Sequence, residues 1–169
     1  MIENIYEDLE NYSKNDIKKK VSHRDSRIWK EEIYTKSTLE IYREFKKEMK
    51  EERFYRNGEE SRLIFRARSN TLALNDRFRH DKGEVKRDTN CSLCTIEYED
   101  LGHFILRCER LENERDRFLL REMVGTDEKA TLGNLLFRGD MERVGGMLRR
   151  MWRARKYWIN RLGGIGGGG

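Results

Sequence analysis

The chain contains no proline in 169 residues, where an average usage of roughly 5% would place about eight. Proline breaks helix interiors, so its absence fits a mostly helical chain with few enforced stops. No apolar run approaches the roughly 20 residues that a membrane span requires, and the N-terminus lacks a signal-peptide core. No membrane span is expected, and the chain reads as intracellular, with nucleus and cytoplasm not distinguished. Apolar residues are also scarce, at 36% against roughly 45–50% on average. The core is therefore thin for the length, and a metal, a partner or a disulfide would have to support it. Disulfides are a poor candidate, because the chain holds only three cysteines, an odd number in an intracellular reading.

All three cysteines lie in CSLCTIEYEDLGHFILRC, residues 91–108, together with one of the three histidines. The spacing is Cys91-x2-Cys94-x8-His103-x4-Cys108. Two cysteines separated by two residues can form a knuckle turn that aims both thiolates at one ion. His103 and Cys108 then close a tetrahedron. Three sulfurs and one imidazole suit a single zinc ion in a closed, structural site. With no position left for water, such a site supports folding and does not activate a nucleophile. A redox pair would use Cys91 and Cys94 alone, and a cysteine nucleophile paired with histidine would leave two thiols unexplained. His23 and His80 fall outside the pattern and read as surface residues. Between the ligand pairs, Glu97, Glu99 and Asp100 read as loop residues. Glu99 or Asp100 would cap a helix that carries His103 and buries Leu101, Phe104 and Ile105.

Charge is abundant, at 40% of residues with a net +5, and it is unevenly spread. Residues 62–87 carry eight basic side chains against three acidic ones, and residues 141–162 carry seven against Glu142 alone. Two basic segments on either side of a metal knuckle suit a polyanion such as nucleic acid. Candidate phosphate contacts are Arg66, Arg68, Arg77, Arg79, Lys86 and Arg87 in the first segment. Arg149, Arg150, Arg153 and Lys156 supply the second, with Tyr157 or Trp152 available for stacking. No helix-turn-helix or regular finger array is visible, which favours RNA or single strands over sequence-read duplex DNA.

Hydrophobic periodicity places amphipathic helices along the chain. The first firm one is expected over Ser26–Arg56, with Leu39, Tyr42, Phe45 and Met49 inward, after a short helix over Ile2–Tyr12. A second should begin at Glu59 and bury Leu63, Ile64 and Ala67, with Leu72, Leu74 and Phe78 in the segment that follows. A third is expected over Glu109–Met123 with Leu111, Phe118 and Leu119 inward, then a short apolar segment with Leu132, Leu135, Leu136 and Phe137. Asp140 should cap the last helix, whose apolar side holds Val144, Met147, Leu148, Met151, Ala154, Trp158 and Leu162.

The fold class expected is mainly α, a small helical domain built around a single CCHC zinc knuckle. Its expected organisation is a polar segment over 1–25, a helical lead-in with a basic segment over 26–90, and the knuckle with its following helix over 91–124. A C-terminal helical segment over 125–162 and a disordered glycine tail over 163–169 complete it.

From Trp29 to Arg121 the chain resembles the zinc-binding region downstream of the polymerase in non-LTR (LINE-like) retrotransposon reverse transcriptases. The residues that carry the likeness are WKEEIYTKSTLEIYREFK, then LIFRARSNTLALNDRFRH, then DTNCSLC, EYEDLGHFILRC and a helix with Arg115. The chain departs at Glu109, where the family often has proline, and at Gly102, where it often has glutamate. A polymerase needs paired aspartates for two metal ions. The nearest string, Tyr98-Glu99-Asp100-Leu101, lacks the second aspartate, and no acidic–histidine group suggests an endonuclease. The resemblance thus implies a detached, non-catalytic nucleic-acid-binding piece of such an element. A structural or protein-interaction module, using the Trp- and Met-bearing last helix, and a remnant without selected activity are the alternatives.

Overall fold

The computed structural model describes residues 12–80 and 88–163, with the side chains of 78–80 and of residues beyond 161 left aside. The expected helix over Ile2–Tyr12, the tail over 164–169, and the side chains of Phe78, Arg79, His80, Lys86, Arg87 and Leu162 fall outside what is described. Among the described residues the chain is mainly helical. Six α-helices carry it: α1 (Lys14–Thr35), α2 (Glu40–Phe45), α3 (Glu59–Arg68), α4 (Arg117–Glu122), α5 (Glu128–Arg138) and α6 (Met141–Gly163). The only pairing of extended backbone among them is an isolated antiparallel bridge between Asn90 and Tyr98. No described helix is long and apolar enough to cross a membrane.

The polar residues ahead of the helices explain their starts. The side chains of Ser13, Asp116 and Asp127 accept hydrogen bonds from the N–H groups of Asp16, Leu119 and Ala130. Each satisfies one of the donors that a helix leaves orphaned. Asp140 does the same for α6, as its sequence position suggested, accepting from Glu142 and Arg143.

Two helices differ from the periodic reading. The stretch Ser26–Arg56 is not one helix: α1 starts at Lys14 and stops at Thr35, and after a 3-10 turn over Ser37–Leu39 the chain re-enters an α-helix at Glu40. The Thr35 hydroxyl donates back to the Glu32 carbonyl at 2.8 Å, and Lys36 takes an extended backbone. Such local bonds compete with helix continuation. The break lets α2 turn so that Tyr42 and Phe45 both meet Phe137 of α5, at ring distances of 5.7 and 6.0 Å. Met49, expected inward, lies beyond α2 and is 48% exposed. The α2–α5 contact is close: a Cβ added to Gly133 would collide with the Phe45 ring.

The helix expected over Glu109–Met123 is likewise split, into a 3-10 turn over Glu109–Glu114 and α4. Arg115 between them is extended because its guanidinium turns inward to the Ile105 and Cys108 carbonyls. The restart at Asp116 changes the register. Leu111 and Leu119 are buried as expected, whereas Phe118 is 73% exposed.

One hydrophobic cluster joins α3, the cysteine-rich segment, α5 and α6. Leu63, Ile64, Ala67, Leu72 and Leu74 enter it as the pattern predicts, together with Leu132, Leu135 and Leu136. From α6 come Val144, Met147, Leu148 and Met151, all buried. Gly145 allows α3 to approach α6, since a Cβ there would lie 3.0 Å from the Glu60 Cβ. Trp152 packs edge-on against Phe104 at 6.0 Å, tying α6 to the turn that carries His103.

Candidate metal centre

Cys91 opens a tight turn in which the Leu93 N–H points at its sulfur (3.4 Å) and the Thr95 N–H donates to its carbonyl (2.8 Å). Thr95 closes this turn at φ 60°, a left-handed conformation that is unusual for a β-branched residue. The chain returns through Glu97, whose carbonyl accepts from the Cys91 N–H at 2.7 Å. The Asn90–Tyr98 bridge holds the two sides of the loop together. Asp100 then caps the next helical turn, accepting from the His103 N–H at 2.6 Å.

That turn is a π-helix over His103–Arg107. The Cys108 N–H bonds to the His103 carbonyl, five residues back, at 2.8 Å. The wider turn sets the direction in which Cys108 leaves relative to His103. Single π turns inside helices recur at functional sites.

The outcome is that Cys91, Cys94, His103 and Cys108, all buried, bring one ligand atom each within 4.8 Å of the others. Cys91 and Cys108 sulfurs are 3.8 Å apart, and Cys94 sulfur is 3.4 Å from His103 Nε2. These four residues could bind a metal ion. The hydrogen bond with Cys108 and burial push the Cys91 thiol up. The hydrogen bond with Cys91, against burial and with help from the Arg110 N–H, holds Cys108 low. Metals are ligated by the thiolate form of cysteine.

The surrounding residues orient the ligands. Glu97 sits 3.1 Å from His103 Nδ1, which leaves Nε2 facing the sulfurs. This is the carboxylate–histidine arrangement found around protein-bound metals. Arg107, and after it His103, hold the Glu97 carboxyl below its usual range. Arg107 also bridges to Asp100 and Glu128. Arg115 is buried and gathers the Ile105 and Cys108 carbonyls from behind.

Glu99, read in the sequence as a loop or capping residue, and Arg155, which the sequence reading did not single out, form a buried pair beside the cluster. Glu99 is fully buried, its Oε1 is 3.7 Å from Cys91 sulfur, and Arg155 of α6 clamps both carboxylate oxygens. Glu99 also accepts from the Asn75 N–H at 2.9 Å. Arg155 is one of seven cations in its segment, so its charge alone does not set it apart. The only signal was its position on the apolar side of α6, four residues after Met151.

The basic candidates separate into several environments. Arg66 is exposed on α3, and Arg77 is exposed after it. Arg68, expected to meet phosphate, is instead 1% exposed. Its guanidinium donates to Glu52, to the Leu136 carbonyl and to the Tyr55 hydroxyl, because position 68 falls on the buried face of α3. Trp152, a candidate stacking ring, is likewise taken up by the core. On α6, Arg149 pairs with Glu60 at 3.0 Å and Arg153 with Glu59 at 2.9 Å. Arg150 is exposed, Lys156 lies 5.8 Å from the Trp152 ring, and Tyr157 is 58% exposed.

No protein-family model, curated protein or solved structure matches the chain.

Proposed function

We propose that the chain is a zinc-stabilised helical domain that binds nucleic acid, RNA or single strands in preference to duplex DNA, without a catalytic centre of its own. The observation that carries it is the convergence of three sulfurs and one imidazole nitrogen within 4.8 Å. Sulfurs bound to zinc at about 2.3 Å with tetrahedral angles lie about 3.8 Å apart, and the Cys91–Cys108 separation is 3.8 Å. A nitrogen bound at about 2.0–2.1 Å sits somewhat nearer its sulfur neighbours, as Cys94 and His103 do at 3.4 Å. Soft thiolates with one imidazole favour zinc over hard cations. Four protein ligands would fill the tetrahedron, which makes the zinc a structural ion in a single CCHC knuckle.

Nucleic acid as partner is supported by the net charge of +5 and by exposed arginines on α3 and α6. Descent from the zinc-binding region of a non-LTR retrotransposon reverse transcriptase rests on the ligand spacing and the GHFILRC segment. Two measurements test the reading. Elemental analysis of protein purified under reducing conditions should give one zinc per chain. Titration with single-stranded RNA should give affinity that falls steeply with salt, as counterion release requires. Zinc content near zero, or binding that is flat in salt, would overturn the corresponding half.

A protein-interaction role is favoured by one observation. Near the end of α6, Tyr157 and Trp158 are 58% and 39% exposed and meet edge to face at 5.6 Å. Partner capture that survives nuclease and is lost in Trp158→Ala would select that role instead.

A further inference from the structure

The cations of the described residues are not equally available. On α6, Arg143, Arg149 and Arg153 each face a carboxylate from another part of the chain. Arg53, Arg56, Arg62 and Arg66 are exposed, and no ion pair engages their guanidiniums among the described residues. These four arginines lie close in sequence to two exposed rings. Phe65, between Arg62 and Arg66 on α3, is 56% exposed, and Tyr55 is 38% exposed.

A single exposed phenylalanine is ordinary. Here the two rings are held in a fixed relation, edge to face at 6.3 Å with 73° between planes. The support comes from the interior. Buried Arg68 donates to the Tyr55 hydroxyl at 3.1 Å, and Phe54 packs against the Tyr55 ring at 4.2 Å. Helical spacing places Arg62, Phe65 and Arg66 at i, i+3 and i+4, hence on one face. That face points outward, because Ser61, Leu63, Ile64, Ala67 and Arg68 take the buried one. Tyr55 also walls a cleft of about 330 Å³ with Trp29, Tyr42 and Met49. The cleft carries Glu51 and Glu52 as well, and Glu52 is engaged by Lys46 and Arg68.

From this we infer that Phe65 and Tyr55 form a base-stacking platform for single-stranded nucleic acid, with Arg62 and Arg66 taking the flanking phosphates. The inference rests on the nucleic-acid reading above and gives it a location away from the ion-paired face of α6. Every nucleobase offers a π-face, so stacking tolerates sequence. Guanidinium forks match phosphate oxygens. A paired duplex hides its base faces, so the platform selects single strands. An acidic peptide could use the arginines but not the ring face, and the test separates the two.

The test uses fluorescence anisotropy on the full chain with an oligouridine strand of about twelve nucleotides, within the range of known single-strand site sizes. An abasic strand of equal length is run beside it. Phe65→Ala should weaken oligouridine binding about tenfold, while Phe65→Tyr retains it and the abasic strand binds all three proteins alike. Arg62→Ala and Arg66→Ala should each lower the salt slope by about 0.7. Circular dichroism checks that the fold persists, as expected for a ring more than half exposed. If the wild type binds oligouridine and Phe65→Ala binds equally well, the platform is overturned while nucleic-acid binding stands. Equal weakening on the abasic strand also overturns stacking. Failure of the wild type to bind any strand removes the broader reading and this one together.

Discussion

Arg155 of α6 donates through Nε to Oε1 of Glu99 at 2.8 Å and through Nη2 to Oε2 at 2.6 Å, with both side chains buried. The same Oε1 is 3.7 Å from the Cys91 sulfur. The last helix and the cysteine-rich loop are therefore joined by a charge pair that neither can leave without stranding the other.

Removing one partner of a buried pair typically costs about 3–5 kcal/mol. Arg155→Met should accordingly lower unfolding stability by about that amount in urea titration. The uncompensated carboxylate beside Cys91 should also change affinity for the proposed zinc by about 10–100-fold, the usual effect of losing an outer-shell partner. Replacing both residues with leucine should recover much of the stability, since matched apolar pairs often substitute for buried ion pairs. A stability unchanged in Arg155→Met would show that the contact is incidental.

On the zinc reading proposed above, chelation should unfold more than the cysteine-rich segment. Structural zinc binds finger peptides with roughly 10–16 kcal/mol, comparable to the roughly 5–15 kcal/mol that stabilises a whole domain. Leu93, Leu101, Phe104, Ile105 and Leu111 belong to the same core as α3, α5 and α6, so loss of zinc should lower helicity across the chain. Cys94→Ser should reproduce that loss in far-UV circular dichroism. Acidification should release the ion, because thiols must lose protons to bind it.

Two arginines on one helix should behave oppositely. Arg68→Lys removes the fork that reaches Glu52, the Leu136 carbonyl and Tyr55, and should cost about 2–3 kcal/mol as charged hydrogen bonds are lost. Arg66→Lys, at an exposed position, should stay within about 0.5 kcal/mol. Thermal melts of the two variants give the comparison directly.

Asp116 gives the fold an acid-sensitive start to α4. Its carboxylate accepts the Leu119 N–H and meets Arg143, and these hold its pKa below the usual value against some desolvation. A depressed folded-state pKa adds stability above the ordinary carboxylate range and loses it as pH falls through the folded value. Asp116→Ala should therefore cost about 1 kcal/mol near neutrality, the typical worth of an N-cap. The difference from wild type should shrink below the ordinary aspartate pKa. A gap constant down to strongly acidic pH would contradict the assignment.

The grouping of Cys91, Cys94, His103 and Cys108 was legible because all four fall in one short window, where spacing alone constrains geometry. Asp140, the burial of Leu63, Ile64 and Ala67 on α3, and that of Val144, Met147, Leu148 and Met151 on α6 were legible for a similar reason, since caps and helical periods are local. Trp158, expected on the apolar side, is instead 39% exposed near the end of α6. The breaks after Thr35 and at Arg115 were not. The first joins a local Thr35–Glu32 bond to the packing of α2 on Phe137, and the second depends on Arg115 reaching the Ile105 and Cys108 carbonyls, contacts that no helical period announces. Arg155 and Glu99 are 56 residues apart, and no local pattern relates them. Arg68 and Arg66 look alike in the sequence, and only the direction of the helix face separates an internal clamp from a surface charge.

The π turn between His103 and Cys108 has a genetic consequence. Five residues separate the bonded backbone groups, so the ligand positions depend on the length of the spacer as well as on the ligands. Gain of one codon in the spacer, for example a duplicated Leu106, would outrun even the wide turn and carry Cys108 roughly 100° around the helix axis. Such an allele would keep every cysteine and histidine and still lose the centre, a lesion that a scan of ligand codons alone would overlook.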